Sequence, residues 1–247
     1  MRADQLLVER GLAASRSQAQ RLIAAGMRWF DGRDWRPVAK NGDEVPATAR
    51  LELTDDAEAR YVSRGGLKLE GALAATGLVV TGWRCLDVGQ STGGFTDCLL
   101  AHGAQAVVGV DVGHAQLHAR VRDDARVTCI EGVNARAMTA EDLGGEDDFD
   151  LAVADLSFIS LTLVLPAVAP LVKAGGHLLM LVKPQFELQP GDIGKGGVVR
   201  DAAMYPRVEA RIREACAAAG LAVQQWLDSP IDGGDGNREF FVYAIRS

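Results

Sequence analysis

The chain has 247 residues, of which 48% are hydrophobic and 24% charged, an ordinary balance for a globular protein with a sizeable core. Its net charge of −7 gives it no general attraction for a polyanion. The charge is uneven, however, because residues 1–53 hold nine Lys and Arg against seven Asp and Glu, and the remainder hold 17 against 26. A slightly basic N-terminal segment permits a nucleic-acid-binding head on an otherwise acidic protein.

The cysteines and histidines argue against disulfide and metal chemistry. Cys85, Cys98, Cys129 and Cys216 form no CxxC pair, and the four histidines form no HExxH or similar ligand pair. We therefore expect reduced thiols and no metal. The N-terminus is too charged for a signal peptide, and the most apolar stretch, residues 161–172, is short and holds two prolines. These features predict a cytoplasmic protein with no membrane partner.

Residues 1–53 predict a compact head of two helices followed by a small antiparallel sheet. A short first helix ends at Gly11, and Ser15 followed by Gln18 is the capping pattern of a second helix. Turn signals in FDGRDW and KNGDEV separate short strands, the last of which is ARLEL. Arg16 and Arg21 lie on the polar side of the second helix, which is either a solvated face or one that contacts phosphates.

The segments RADQLLVERGLAASRSQAQRLIAAG, DGRDW and NGDEV, in this order, resemble the RNA-binding domain named after ribosomal protein S4. The resemblance implies that Arg16 and Arg21 contact RNA. One stretch departs from the family pattern, because GMRWFDGRDW has tryptophans where small and β-branched residues are usual.

Residues 54–62, TDDAEARYV, are acidic and predict a linker, so residues 63–247 form the second domain. A helix is predicted after the Gly-Gly turn of SRGGLKLEGALAATG. Strands and helices then alternate, which predicts an α/β fold with a doubly wound, Rossmann-like, mostly parallel sheet. The last two strands are close in sequence and predict an antiparallel hairpin. The predicted strands are RCLDV, AVVGVDV, VTCIEG, FDLAVADL, GHLLMLVK, VQQWLDSPI and REFFVYAIR.

The stretch LDVGQSTGGFTD places a glycine turn directly after the first of these strands. A dinucleotide site requires GxGxxG, but Ser91 replaces the second glycine, and no lysine follows Gly94 as a P-loop requires. Asp87 would repel a pyrophosphate and attract an ammonium or a sulfonium. The pattern therefore favours S-adenosylmethionine over NAD.

Polar residues also follow the next strands, at the edge where ligands bind in this architecture. Asp111 is placed to accept from ribose hydroxyls, Asn134 to lie near an adenine, and Asp155 to complete the series. The residues predicted to line the cofactor site are Asp87, Gly89, Ser91, Thr92, Gly93, Gly94, Phe95, Asp111, Val112, Asn134 and Asp155.

Four ionisable residues, Lys68, Asp155, Lys183 and Glu239, flank this predicted pocket. Each alone could be a solvated or simply paired charge. Together they suit methyl transfer to a poor nucleophile such as a ribose hydroxyl, which must lose its proton as it attacks. A lysine accepts that proton only if burial or a nearby cation lowers its pKa, and Lys68 near Lys183 would be such a cation.

A second resemblance covers nearly the whole chain. SRGGLKLEGAL, LDVGQSTGGFTDCLL, VGVDVG, ADLSFISL, VKPQFE, GKGGVVRD and GNREFF resemble the TlyA family of haemolysin A-like ribosomal RNA methyltransferases, whose catalytic domain is FtsJ-like. The resemblance implies S-adenosylmethionine-dependent 2′-O-methylation of cytidine in 16S or 23S ribosomal RNA, or both. It also implies a catalytic tetrad of Lys68, Asp155, Lys183 and Glu239. Gln90 is a departure, since the family more often has a small residue there.

The glycine-rich loop 187–201 is long for a simple connection and is predicted to close over RNA. The full set of predicted RNA-binding residues is Arg16, Arg21, Arg64, Lys195 and Arg200. Ribosomal RNA or a ribosomal subunit is the expected partner, and a monomer or weak dimer suffices.

Three alternatives remain open from the sequence. The first is an NAD-dependent oxidoreductase, which Ser91 disfavours. The second is a non-catalytic RNA-binding ribosome-assembly factor, which the intact tetrad disfavours. The third is a membrane-active haemolysin, which the lack of a long apolar or amphipathic segment disfavours.

Overall fold

The computed structural model describes residues 1–13, 15–53, 60–194, 196–233 and 236–247. They form two compact units, Met1–Leu67 and Lys68–Ser247, which are described separately below. Most of the predicted linker, residues 54–59, lies outside the described residues, as does Lys195.

The described part of residues 1–53 consists of two helices and a three-stranded antiparallel sheet. Ser15 begins the second helix by accepting a hydrogen bond from the Gln18 backbone at 3.2 Å, as the sequence predicts. The strand order is β2-β1-β3. The elements are α1 Ala3–Glu9, α2 Arg16–Gly26, β1 Met27–Phe30, β2 Trp35–Pro37 and β3 Arg50–Leu53.

The core of this unit lies between the helices and one face of the sheet. Leu6, Leu7, Leu22 and Met27 are fully buried there. One carboxylate is buried with them, because the Asp4 side chain is inaccessible and pairs with the guanidinium groups of Arg2 and Arg16, each at 3.0 Å. These two cations hold the pKa of Asp4 well below its ordinary value.

The second unit is built on a seven-stranded sheet in the order β6-β5-β4-β7-β8-β10-β9, which confirms the predicted doubly wound α/β fold. Strands β4 to β8 pair in parallel, and β10 runs antiparallel to both β8 and β9. The predicted hairpin of the last two strands is therefore present. The elements are α3 Gly65–Thr76, β4 Arg84–Val88, α4 Gly94–Ala101, β5 Ala106–Asp111, α5 Ala119–Arg122, β6 Val127–Glu131, β7 Phe149–Ala154, α6 Leu165–Val168, β8 Val172–Val182, α7 Pro184–Glu187, α8 Met204–Ala218, β9 Leu221–Asp228 and β10 Phe240–Arg246.

Two predicted helices differ from the structure. The stretch SLTLVLPAVAPLVKAG, residues 160–175, lies between two predicted strands, where the alternation predicts a helix. It forms the four-residue α6 between two 3₁₀ turns, and its last residues belong to β8. Pro166 and Pro170 cause the interruption, since neither can donate the backbone hydrogen bond that a continuing helix needs. Helix α3 begins at Gly65 and so includes the Gly-Gly pair that was predicted to be a turn before it.

Candidate active site

A buried ion pair lies at the start of strand β10. The Lys68 Nζ and Glu239 Oε2 atoms are 2.5 Å apart, and the two side chains are only 8% and 3% exposed. Lys68 comes from α3, and Glu239 directly precedes β10. Because β10 is antiparallel to β8, with Phe240 opposite Val182, Glu239 arrives beside the end of β8.

A second ion pair lies at the carboxyl ends of β7 and β8. The Lys183 Nζ and Asp155 Oδ1 atoms are 2.5 Å apart, with side chains 12% and 25% exposed. Lys183 also donates to Ser157 Oγ at 3.0 Å. The parallel pairing of β7 with β8 carries both residues to the same edge of the sheet.

The two pairs form one electrostatic cluster. Burial raises the pKa of Glu239, Lys68 and Lys183 oppose that rise through their positive charges, and the Asp155 carboxylate adds to it. The structure thus brings together all four residues of the predicted tetrad. Two ammonium and two carboxylate groups meet at the edge where a doubly wound sheet binds its ligands.

The glycine turn after β4 lies next to this cluster. Gly89 has φ +83°, and a Cβ there would lie 2.9 Å from the Asp155 carbonyl oxygen and 2.8 Å from Leu156 Cδ2. Ser91 also has a positive φ, of 47°, and Gly93, with φ 93°, precedes the first turn of α4. Glycine adopts a positive φ without strain. At Gly89 the missing side chain also leaves open the space that a Cβ would fill.

Beneath the turn lies a chain of buried polar groups that runs from Gln90 to Thr96 to Asp87. Gln90 Nε2 donates to Thr96 Oγ1 at 2.9 Å, and Thr96 Oγ1 donates to Asp87 Oδ2 at 2.7 Å. The other oxygens, Asp87 Oδ1 and Gln90 Oε1, are buried and accept no hydrogen bond from the described residues. Burial raises the pKa of Asp87 to about 7.

The remaining predicted cofactor residues are placed differently from one another. Asp111 accepts from the backbone amides of Ser91 at 2.8 Å and Gly113 at 2.7 Å, so it fixes the shape of the loop. Val112 is 70% exposed. Asn134 is exposed and accepts from the Arg136 amide at 3.0 Å.

Phe95 and Thr92 complete the predicted set. Phe95 is 3% exposed, and its ring stacks on Phe241 with centroids 6.1 Å apart, which places it in the core. Thr92 is exposed, and its carbonyl accepts from the His118 amide at 3.2 Å.

The predicted RNA-binding residues are spread over both units. In the first unit, Arg16 holds Asp4 while its side chain stays 56% exposed, and Arg21 and Arg64 are half-buried. In the second unit, Arg200 is exposed, and its Nε atom would lie 3.1 Å from a Cβ added at Gly194.

Two residues near the tetrad were not identified from the sequence. Phe158, three residues after Asp155, is 91% exposed and has φ 64°. Its ring lies 5.3 Å from that of Phe186. Asn237, two residues before Glu239, is 1% exposed, accepts from the Val199 amide and donates to the Gly197 carbonyl, both at 2.9 Å. The sequence signal available for both residues was their closeness to a tetrad residue. Phe158 lies near Asp155 in ADLSF, and Asn237 lies near Glu239 in GNREF.

The described ranges offer neither a cluster of metal ligands nor a helix able to span a membrane. No group of three or more His, Cys, Asp or Glu side chains there is placed to hold a metal ion. Of the helices formed by these same residues, none combines the length and apolar character needed to cross a bilayer.

The parallel sheet with a reversed last strand, the glycine turn at its carboxyl edge and the paired lysines and carboxylates define a Rossmann-like methyltransferase. The chain belongs to the FtsJ-like methyltransferase family, whose model matches residues 61–246. This confirms a methyltransferase over the NAD-dependent oxidoreductase that the sequence left open.

Individual relatives span nearly the whole chain. It is 45% identical, over 98% of its length and 88% of the relative, to "16S/23S rRNA (cytidine-2'-O)-methyltransferase TlyA" of Mycobacterium tuberculosis (strain CDC 1551 / Oshkosh). It is 37% identical, over 99% of its length and all of the relative, to "Hemolysin A" of Brachyspira hyodysenteriae. A solved structure described as a candidate hemolysin of Streptococcus thermophilus is similar with a TM-score of 0.77 at 39% identity, covering 100% of this chain and 88% of that one. The predicted resemblance to the TlyA family is confirmed.

Proposed function

We propose that this protein transfers a methyl group from S-adenosylmethionine to the 2′-hydroxyl of a cytidine in ribosomal RNA. The observation that carries the proposal is the pair of adjoining ion pairs, Lys68 with Glu239 and Lys183 with Asp155, at the carboxyl edge of a methyltransferase sheet. The substrate class follows the relative at 45% identity, which is named for 16S/23S rRNA cytidine-2′-O-methylation.

The residues of the glycine turn suit S-adenosylmethionine. Gly89 leaves a cradle that a side chain would fill, and Asp87 Oδ1 and Gln90 Oε1 are buried acceptors that need a donor. An ammonium group is such a donor, and a carboxylate nearby favours a positive charge. Asp87, Gly89, Ser91 and Asp111 would hold the cofactor, together with Thr92, Gly93, Gly94, Phe95, Val112, Asn134 and Asp155 in smaller roles.

The tetrad supplies the proton chemistry that a hydroxyl nucleophile needs. When bound, the cofactor presents an electrophilic methyl group on a sulfonium. Lys183 Nζ accepts the proton of the hydroxyl as its oxygen attacks, and Asp155 and Ser157 hold this Nζ in place. Lys68 and Glu239 keep the neighbouring wall of the site fixed and nearly dry. The remaining acceleration is positional, because the hydroxyl must lie in line with the methyl group.

Phe158 fits the RNA end of this proposal. This exposed ring directly follows Ser157, to which Lys183 donates, and it offers a stacking surface for a nucleobase drawn out of its helix. Its left-handed backbone conformation costs free energy, and such strain is concentrated at functional sites.

The proposal extends to the organisation of the chain. Residues 1–53 are an S4-type RNA-binding domain, residues 54–62 a linker and residues 63–247 the catalytic domain. Arg16, Arg21 and Arg64 contact RNA from the first unit, and Lys195 and Arg200 from the glycine-rich loop. The protein acts in the cytoplasm as a monomer or weak dimer.

The test is methyl transfer from radiolabelled S-adenosylmethionine to purified small and large ribosomal subunits, with alkali resistance of the 3′ phosphodiester locating the label. We expect label that resists alkali with the wild type and a loss of at least about 100-fold with Lys183→Met. Lys173→Met is the matched control, because Lys173 pairs with Asp150 at the opposite end of β8.

Each contrary result has a distinct meaning. Label on a base keeps the methyltransferase and discards the proposed role of the tetrad. No label on either subunit, with cofactor binding intact, favours the non-catalytic assembly factor.

A further inference from the structure

The sheet of the first unit carries two aromatic rings and an arginine in one row across its strands. Phe30 on β1 pairs directly with Trp35 on β2 and with Arg50 on β3. Residues paired in this way project from the same face of a sheet. The row therefore places all three side chains side by side.

This row lies on the face of the sheet that points away from the helices. The adjacent residues, Trp29 before Phe30 and Leu51 after Arg50, are paired with each other and pack against the core formed with α1 and α2. Side chains alternate between the faces along a strand, so Phe30 and Arg50 point the other way. Phe30 and Trp35 are half-buried, and Arg50 is exposed.

The contacts within the row are those of an aromatic and cationic surface. The ring centroids of Phe30 and Trp35 are 5.6 Å apart, and Arg50 Cζ lies 5.7 Å from the first ring and 5.8 Å from the second. Among the described residues Arg50 has no carboxylate partner, whereas Arg28 on the same face pairs with Glu52 at 2.6 Å. Arg50 thus keeps its positive charge available to an anion.

We propose that Trp35, Phe30 and Arg50 form a binding site for an unpaired nucleotide of RNA, in which the base stacks on the rings and the arginine contacts the phosphate. Rings stack on any base, and a planar guanidinium can both stack on a base and donate to phosphate. The site rests on the proposed function for its RNA partner. It is separate from the helix face that carries Arg16 and Arg21.

Charge favours RNA over a protein as the occupant. Residues 1–53 carry two more basic than acidic residues in a protein whose net charge is −7. Arg50 presents a cation that no carboxylate of the described residues neutralises, next to two aromatic rings. This combination is the one that single-stranded nucleic acid binding requires, a positive charge for the backbone and a ring for the base.

The experiment measures binding of the full chain to ribosomal RNA fragments at several salt concentrations, without cofactor. The variants are Trp35→Leu, which keeps apolar bulk but removes the ring, Arg50→Gln and Arg50→Lys. Arg213→Gln is the control for loss of one exposed arginine, because Arg213 lies on α8 and pairs with Glu209. Circular dichroism checks that each variant is folded.

We expect Trp35→Leu to weaken binding about ten-fold with an unchanged salt slope, since stacking is not ionic. Arg50→Gln should weaken binding and reduce the magnitude of the salt slope by about 0.7, and Arg50→Lys should restore the slope but only part of the affinity. Equal affinity of Trp35→Leu and wild type for naked RNA overturns the proposal. If that variant binds intact subunits more weakly but naked RNA normally, the occupant is a protein and the proposal is also wrong. Failure of the proposed function gives a different result, because the wild-type protein would then transfer no methyl label to either ribosomal subunit.

Discussion

Lys68 and Glu239 stand 171 positions apart in the chain, yet Nζ and Oε2 are 2.5 Å apart in a place that water hardly reaches. A buried ion pair of this kind contributes little net stability, because the cost of removing both charges from water offsets their attraction. Losing one partner is far more damaging than losing both. A comparison of single and double variants of Lys68 and Glu239 therefore separates the effect of this pair on stability from its effect on catalysis.

Lys68→Met is expected to destabilise the protein by about 3 kcal/mol or more, because it leaves the Glu239 carboxylate buried without its cation. Burial already raises the pKa of Glu239, so in this variant Glu239 should take up a proton. The double variant Lys68→Met with Glu239→Leu should recover most of the lost stability and still fail to transfer methyl groups. Urea unfolding and the labelling assay measure the two effects. A double variant as unstable as the single one would contradict the argument.

Asp87 should make the protein less stable as pH rises. Its pKa is about 7 in the folded protein, against an ordinary value of 3.8, so the folded state binds the proton more tightly than the unfolded state. The contribution of Asp87 to the free energy of unfolding is therefore complete below about pH 4. It is lost as the pH rises to about 7, and the free energy of unfolding falls by up to about 4 kcal/mol.

Asp87→Asn is the matched variant, because an amide oxygen can still accept from Thr96. It should flatten the fall in free energy of unfolding between about pH 4 and pH 7. If the wild type and the variant have parallel pH profiles, Asp87 is not the group responsible.

Gln90 and Gly109 are expected to behave as a coupled pair. A Cβ at residue 109 would lie 2.0 Å from Gln90 Cδ, closer than any real contact. Gly109→Ala should therefore destabilise the protein by about 1–3 kcal/mol and weaken cofactor binding. Adding Gln90→Ala makes room for the methyl group and should restore much of the stability, but not the cofactor affinity, because the Gln90 Oε1 acceptor is lost. Thermal unfolding and cofactor titration of the four proteins give the coupling energy, and simple additivity would show that the two side chains do not compete for space.

Asn237 should matter for substrate more than for cofactor. Its side chain joins the Val199 amide and the Gly197 carbonyl to the segment that leads into Glu239. Asn237→Ala leaves those two groups without partners, at a cost of about 1–3 kcal/mol. We expect kcat to fall and KM for RNA to rise, with little change in cofactor affinity. If the affinities for RNA and for the cofactor fall equally, Asn237 supports the whole site rather than its RNA side.

The sequence predicts the sheet of the second unit well because β4, β5, β7 and β8 are mostly apolar and lead into glycine or polar residues. Lys68, Asp155, Lys183 and Glu239 were identified from family motifs and from their positions beside predicted elements, and the structure brings these four together. The interruption between residues 161 and 171 was not predicted, although two prolines lie within that stretch.

Other features could not be read from the sequence because they depend on distant partners. Nothing in the sequence around Asp87 shows that no described residue donates to its Oδ1 atom or that burial raises its pKa. Phe95 follows the glycine turn as a ligand-contacting residue would, but its ring packs on Phe241 from the last strand. The exposure of Phe158 likewise depends on how the loop after β7 folds back.

The place of β10 has a consequence for protein synthesis. This strand is the last of the sheet to be synthesised, yet it lies between β8 and β9, which are made before it. A nascent chain made only as far as Asp228 therefore carries Lys68, Asp155 and Lys183 beside a gap in the sheet. Glu239 meets Lys68 only when β10 fills that gap, so the tetrad is completed after every other strand of the sheet has been made.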